Sequence, residues 1–404
     1  MNPKKVLLVD KFPPSVIDRL QSSGLQVDYR PDAGTEGLKT ALPGVSILSV
    51  RSTKVTADAL GSADSLQLII RAGAGTDTID VPAASRVGIY VANCPGKNAV
   101  AVAELAMGLL LAADRRIPQA TADLRAGKWD KKEYAKAAGL HGRTLGVLGV
   151  GTIGTLVLAR ARAFGMKVAA WSRSLTPEQA GALGAERCGS PADLAARADA
   201  VSIHLALSAD THHLVGKEFL AAMKPGAILV NTSRGELVDS AAVAEAVRTR
   251  GIRFAADVLE GEPTAAQASF DHPLLKTPGF IGTPHIGAST EQAQEATGDE
   301  VVRIILEFLG GGAAPNTVNL ARHTPAKFLL VVRHYDRVGV LAGIFDLLRR
   351  AGINVQRTSN VVFEGAEAAV ARVELDKDPG GETVKMLRKA EHVLSVDLVE
   401  LSES

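Results

Sequence analysis

Residues 144–160 read TLGVLGVGTIGTLVLAR. A short apolar run, a turn with glycines at 149, 151 and 154, and an Ala- and Leu-rich amphipathic run follow one another without interruption. In such a strand–turn–helix the first glycine permits the tight turn and the second lets the backbone approach a pyrophosphate. The third lets the helix close on the strand. Unpaired N–H groups at the helix start then face the phosphates. A glycine turn alone is a weak signal, but placed between a strand pattern and a helix pattern it reads as a dinucleotide-binding fingerprint.

Working outward, KVAAWSR, ADAVSIHLA, GAILVNTSRG, RFAADVL and FIGTPHIG repeat the short apolar run after the turn. KVLLVD, VSILSV and LQLIIRAG do so before it, with a helical SVIDRLQSSG ended by Gly24 between the first two. Continuous rather than alternating apolar runs, separated by helix patterns, predict buried parallel strands covered on both faces. The expected fold class is therefore α/β, with two doubly wound parallel-sheet (Rossmann-like) domains. Two long helix patterns, residues 98–120 and 290–311, flank the second series; Asn98 and Thr290 are their candidate N-caps, and Gly310 to Gly312 end the latter. A Gly-, Ala- and Pro-containing stretch then leads into a tail from Ala326 with the order βαββαβ, a small ferredoxin-like module.

Bulk properties exclude several classes. The chain has 404 residues with 45 Lys plus Arg against 44 Asp plus Glu. That balance carries no electrostatic footprint for nucleic acid or an anionic membrane. The first residues pass directly into a strand pattern without a cleavable signal, and no apolar run approaches a membrane span. Cys94 and Cys188 stand far apart, in neither a metal nor a redox spacing, so a cytoplasmic protein without a metal is expected.

Three segments carry complementary chemistry at strand ends. NTSRGELVD presents Arg234, DVLEGEP presents Asp257, Glu260 and Glu262, and TPHIGAST presents His285. Ligands of an open parallel sheet bind beyond its carboxyl ends, which brings these segments together. A histidine titrates in the range needed to take a hydroxyl proton as hydride leaves the same carbon. A carboxylate on its other nitrogen fixes the tautomer and raises the pKa. An arginine holds a substrate carboxylate bidentately. Each residue alone has an ordinary structural explanation; three matching roles at successive strand ends do not. His204 lies inside a strand pattern and is not assigned to catalysis.

The order GVGTIG, NTSRGELVD, DVLEGEP, TPHIGAST resembles the D-isomer-specific 2-hydroxyacid dehydrogenase family. Within it, VRSTK, IIRAGAGTDTID and the stretch from CPGKN onward are similar to members that oxidise 3-phosphoglycerate to 3-phosphohydroxypyruvate, the first step of serine biosynthesis. The resemblance implies a substrate-binding domain over 1–95 and 289–318, a dinucleotide-binding domain over 96–288, a linker over 319–325 and a tail over 326–404. It places catalysis on Arg234, Glu262 and His285. It places cofactor contacts on Gly149, Gly151, Thr152, Ile153, Gly154, Thr232, Ser233, Asp257 and Gly287, with Asp257 holding the nicotinamide carboxamide. It aims Arg51 and Arg71 at the substrate phosphate, and the backbone of Ala72, Gly73, Ala74 and Gly75 at its carboxylate. The tail RHYDRVGVLAGIFDLLRRAGINVQ resembles an ACT domain, which implies an L-serine effector contacting His334, Asp336 and Asn354; Asp336 and Val338 depart from the serine-binding pattern. The first long helix and the tail both imply a homodimer or homotetramer.

The stretch VAAWSRSLT bears on the cofactor. Where NAD enzymes carry an acid for the ribose hydroxyls, this chain has Ser172 followed by Arg173. NAD follows from the resemblance, and that pair also accommodates NADP. Two alternatives accompany the phosphoglycerate reading. One is a glyoxylate/hydroxypyruvate reductase or another D-2-hydroxyacid dehydrogenase. The other is a non-catalytic NAD(H)-sensing regulator.

Overall fold

The computed structural model describes residues 4–263, 267–321 and 324–401. Strands β1 (Lys5–Val9), β2 (Gln26–Arg30), β3 (Ile47–Val50), β4 (Leu68–Arg71) and β5 (Tyr90–Asn93) form a parallel sheet in the order β2-β1-β3-β4-β5. This is the flavodoxin-like order, so the doubly wound expectation holds while the strand order differs from that of the second sheet. Its switch point lies between β1 and β3, which brings Asp10 and Arg51, the residues just after those strands, to one crevice.

Strands β6 (Thr144–Leu148), β7 (Lys167–Trp171), β8 (Glu186–Arg187), β9 (Ala200–Ile203), β10 (Ile228–Asn231), β11 (Arg253–Ala256) and β12 (Ile281–Gly282) build the second parallel sheet, in the order β12-β11-β10-β9-β6-β7-β8. The strand order reverses between β6 and β9, the dinucleotide crevice of a Rossmann sheet. The glycine turn follows β6 there. Gly149 has φ +103°, and a Cβ on it would strike the His204 carbonyl. A Cβ on Gly154 would overlap the Gly149 carbonyl, whereas one on Gly151 would meet nothing within 4 Å. Protein packing therefore demands the first and third glycines, and the second leaves open space for a ligand.

The two long helices pack on different sheets. Ala99–Arg115 sets Ala103, Ala106, Met107 and Leu110 into the core of the second sheet with Val147, Ile228 and Val230. Glu291–Gly311 sets Val301, Ile304, Ile305 and Phe308 against Val6, Leu8 and Ile70 of the first. Thr290 caps the latter through Ala293 N–H (3.1 Å), and Gly312 ends it at φ +73°. Asn98 makes no side-chain cap, contrary to the expectation from sequence; its Oδ1 is buried without a partner among the described residues. Both cysteines are buried, and burial pushes the Cys94 thiol up to about 12 and that of Cys188 up to about 11.

Leu320–Ser404 forms a separate compact unit. Strands β13 (Phe328–Tyr335), β14 (Val355–Val362), β15 (Ala368–Leu375) and β16 (Val393–Glu400) pair antiparallel in the order β14-β15-β13-β16. Helices Val340–Arg350 and Gly381–Arg388 bury Ile344, Leu348 and Leu387 against Leu330, Val332 and Val373. The element order is the βαββαβ read from the sequence. Of the linker expected over 319–325, residues 322 and 323 lie outside the described residues. Among the described residues no helix is long and apolar enough to cross a membrane.

The glycine geometry separates folding from binding. Gly154→Ala should destabilise the chain by ~1–3 kcal/mol in urea unfolding, as overpacking does. Gly151→Ala should leave the unfolding midpoint unchanged and weaken dinucleotide binding about tenfold or more. Equal loss of stability in both variants would contradict this division.

Candidate active site

Arg234, Glu262 and His285 each follow a strand of the second sheet and are aimed by a neighbour. At the end of β10, the buried Asn231 carboxamide accepts from Ser233 N–H (3.0 Å) and donates to the Arg234 carbonyl (2.8 Å). Arg234 donates from Nε (3.0 Å) and Nη2 (2.7 Å) to Asp77 Oδ2, and from Nη1 to the Ser233 carbonyl (2.7 Å). One N–H on each terminal nitrogen is then left for a ligand, the fork geometry that suits a carboxylate. Asp77 stands in the AGAGTD loop of the first sheet, and its role escaped the sequence reading.

After β11, Asp257 is buried and has three protein partners. It accepts from Thr283 Oγ1 (2.5 Å) and Ile286 N–H (2.8 Å) on Oδ1, and from Gly287 N–H (2.8 Å) on Oδ2. The carboxylate thus pins the TPHIG loop. It occupies the Gly287 N–H, and three bonds leave about one of its four acceptor sites for the nicotinamide carboxamide expected there. His285, at the tip of that loop with φ +52°, donates its backbone N–H to the Asp257 carbonyl (2.8 Å). Its Nδ1 is hydrogen-bonded to Glu262 Oε1, and Glu262 Oε2 accepts from Leu259 N–H (3.3 Å). With Nδ1–H donated to a carboxylate, Nε2 carries the free lone pair. The Glu262 hydrogen bond holds the His285 pKa above its ordinary 6.5, against burial and the charge of Arg234. Glu260 turns away from this pair toward His213.

The residues around the glycine turn fit a dinucleotide. Thr152 is exposed at the start of helix Thr152–Ala163 and Ile153 is half-buried beside it. The Thr232 hydroxyl and His204 Nδ1 are buried without partners among the described residues. Burial pushes the His204 imidazole down to about 3, so it is neutral. The Ser233 hydroxyl is already donated to the Ile203 carbonyl (2.8 Å). Ser172 is half-buried, and the exposed Arg173 is paired with Asp210 (3.1 Å).

In the crevice of the first sheet, Arg51, Arg71, Asn98 and Lys11 line one pocket. Asp10, at φ +73°, accepts the N–H groups of Arg51 (2.7 Å), Ser52 (2.8 Å) and Thr53 (3.0 Å) on Oδ2 and the Thr53 hydroxyl (2.8 Å) on Oδ1. It shapes the loop that presents Arg51 without pairing with the guanidinium. Burial, the charge of Arg234 and that of Arg51 all lower the Arg71 pKa, with Asp77 opposing. Arg71 Nε is buried with no partner among the described residues. Clustered, desolvated cations that outnumber the carboxylates near them suit an anionic ligand. The N–H groups of Ala72 and Gly73 are already donated to the carbonyls of Val50 (2.7 Å) and Arg71 (2.8 Å). This corrects the four-residue cradle to Ala74 and Gly75.

The tail residues do not come together within the unit. His334 is buried, bonded at Nδ1 to the Tyr335 carbonyl (2.8 Å) and at Nε2 to Asn360 (3.1 Å). Register pairs His334 with Ala369, whereas Asn354 precedes Val355, which pairs with Leu375 at the other end of the sheet. Asp336 lies just beyond β13, at the His334 end, and its N–H bonds to the Glu367 carbonyl (2.9 Å).

Residues 107–287 match the model of the D-isomer specific 2-hydroxyacid dehydrogenase NAD binding domain. A D-3-phosphoglycerate dehydrogenase of Methanocaldococcus jannaschii is 40% identical over 373 residues, covering 92% of this chain and 67% of that protein. A Thermus thermophilus protein of known structure superposes with a TM-score of 0.70 at 35% identity, over 78% of this chain and 99% of its own. An NADPH-dependent glyoxylate/hydroxypyruvate reductase from Sinorhizobium meliloti superposes with a TM-score of 0.68 at 28% identity, over 78% and 97%.

The His285–Glu262 pair has a definite pH signature. A raised folded pKa means the pair's stabilising effect is present below 6.5 and is lost as pH rises through the raised value. A proton-accepting Nε2 needs the neutral ring, so kcat/KM for hydroxyl oxidation should rise with pH through that same value. Glu262→Gln should move this limb to lower pH by about one unit and lower the plateau about a hundredfold. An unmoved limb would contradict the pairing.

Proposed function

The chain belongs to the D-isomer-specific 2-hydroxyacid dehydrogenase family of NAD-dependent oxidoreductases, and we propose that it interconverts 3-phosphoglycerate and 3-phosphohydroxypyruvate, the first step of serine biosynthesis. The observation that carries this reading is the pocket of Arg51, Arg71 and Lys11 beside Arg234. A small hydroxyacid with one carboxylate is satisfied by Arg234 alone; a second, more strongly cationic place asks for a second anionic group on the same substrate. The name of the Methanocaldococcus relative agrees with that substrate.

Arg234 and the N–H groups of Ala74 and Gly75 hold the substrate carboxylate and orient the hydroxyl-bearing carbon. His285 Nε2 takes the hydroxyl proton, and Glu262 stabilises the imidazolium that results. Bound NAD supplies the hydride acceptor. In the reverse direction His285 returns the proton. Gly149, Gly151, Thr152, Ile153, the Thr232 hydroxyl and the Asp257 carboxylate, the last toward the nicotinamide carboxamide, are the cofactor contacts in this reading.

The domain assignment follows the same logic. The first sheet with helix Glu291–Gly311 serves as the substrate-binding domain (1–95 and 289–318), and 96–288 as the dinucleotide-binding domain. Residues 326–404 serve as an ACT domain with L-serine as effector. His334 and Asn354 lie at opposite ends of one sheet, so an effector that touches both lies between two copies of the chain. Exposed Val100, Ile117, Leu124 and Trp129 (83% exposed) support a homodimer or homotetramer built through helix Ala99–Arg115 and its continuation. A cytoplasmic location fits this pathway role.

Ser172 and Arg173 favour a second reading, an NADPH-using glyoxylate/hydroxypyruvate reductase like the Sinorhizobium protein. The Arg173–Asp210 pair opposes it by neutralising the cation a 2′-phosphate would meet. Arg51→Ala and Arg71→Ala should each lower kcat/KM for 3-phosphoglycerate about a hundredfold while leaving glyoxylate within about threefold. Full phosphoglycerate activity in both variants would remove the phosphate site. The kcat/KM ratio of NAD to NADP should stay below about a hundred, and a larger ratio would remove the NADP reading.

A further inference from the structure

Two adjacent histidines, His212 and His213, stand outside the catalytic set and have no part in the reaction above. His213 adopts the left-handed region at φ +52°, an uncommon state for a residue with a side chain. Its backbone N–H donates to the Glu236 carbonyl (2.8 Å), and the turn before it is held by Thr211, which accepts from Ser208 N–H (2.8 Å) and donates to the Ala206 carbonyl (2.8 Å). This conformation puts the two imidazoles on the same side of the chain, stacked with centroids 4.0 Å apart. Glu260, from the loop that also carries Glu262, reaches the same place, with His213 Nε2 and Glu260 Oε2 3.2 Å apart.

We propose that His212, His213 and Glu260 form a binding site for one late first-row divalent cation, zinc fitting best. Their donor atoms all lie within 4.8 Å of one another. Tetrahedral bonds of about 2.0–2.2 Å place neighbouring ligand atoms about 3.3 Å apart, so His213 and Glu260 already stand at the required spacing. His212 is exposed, its ring stacked on that of His213, and must turn out of that stack to complete the set. Two imidazoles and one carboxylate suit zinc, cobalt or nickel and leave a fourth position to solvent. Calcium and magnesium, which ask for six or more oxygens, are not served. The bound cation joins the turn after β9 to the Glu260–Gly261–Glu262 loop. The spacing of Cys94 and Cys188, on which the expectation of no metal rests, says nothing of this histidine pair.

The test uses the untagged full chain, stripped with chelator and titrated with Zn²⁺ against a chromophoric competitor, then with Co²⁺. One equivalent of zinc should bind, and cobalt should give the intense visible absorption of a four-coordinate site. His213→Ala, Glu260→Gln and the exposed-site variant His212→Ala should each weaken binding about tenfold or more, with thermal unfolding in chelator showing that they are folded. His285→Ala should bind as the parent does. The proposal is overturned if the parent chain binds no stoichiometric zinc. It is equally overturned if the three site variants bind as the parent does, or if His285→Ala alone abolishes binding and so places the cation on the catalytic pair.

Discussion

Three guanidinium groups, Arg51, Arg71 and Arg234, share the space between two sheets, with Asp77 facing Arg71 and Arg234 and Asp10 near Arg51. Burying like charges together is unfavourable unless something compensates, and folding alone gains nothing from it. The arrangement makes sense as preparation for an anionic ligand whose binding removes the repulsion. Both crevices lie at points where strand order reverses, so the topology places these cations and the dinucleotide turn at the ligand-binding ends of the two sheets.

Acidic residues do much of the positioning. Asp10 gathers three consecutive N–H groups and fixes the Arg51 loop. Asp77 and the Ser233 carbonyl hold the plane of Arg234. Asp257 ties down the loop whose tip is His285, and Glu262 then sets the tautomer of that ring. Preorganisation of this kind matters because groups already aimed at the developing charge need no reorganisation when the reaction occurs.

The dinucleotide turn and the parallel sheets were legible in sequence because their signals are local: glycines at fixed offsets and apolar runs between helix patterns. Arg234, Glu262 and His285 were legible as residue types at successive strand ends. Asp77 was not, since it acts across 157 residues on Arg234 and looks like an ordinary turn acid. The same holds for Asp10 and Asn231, whose partners are backbone groups, apart from the Thr53 hydroxyl on Asp10, that no side-chain pattern announces. Asn98 sits where a cap belongs, yet it makes no side-chain cap and lines the Arg71 pocket instead. The strand order of the first sheet was also hidden, because local patterning fixes which runs are strands and not which ones pair. In the tail, register separates His334 from Asn354, and register is a property of pairing across three strands.

Recognition of a second anionic group on the substrate by the first crevice is the claim on which the functional reading turns. Comparing kcat/KM for 3-phosphoglycerate with that for glycerate, using NAD, isolates that group, because the two differ only by the phosphate. A preference for 3-phosphoglycerate of about a thousandfold or more is expected, the scale of paired, buried charge-assisted hydrogen bonds. Equal values for the two substrates would contradict it.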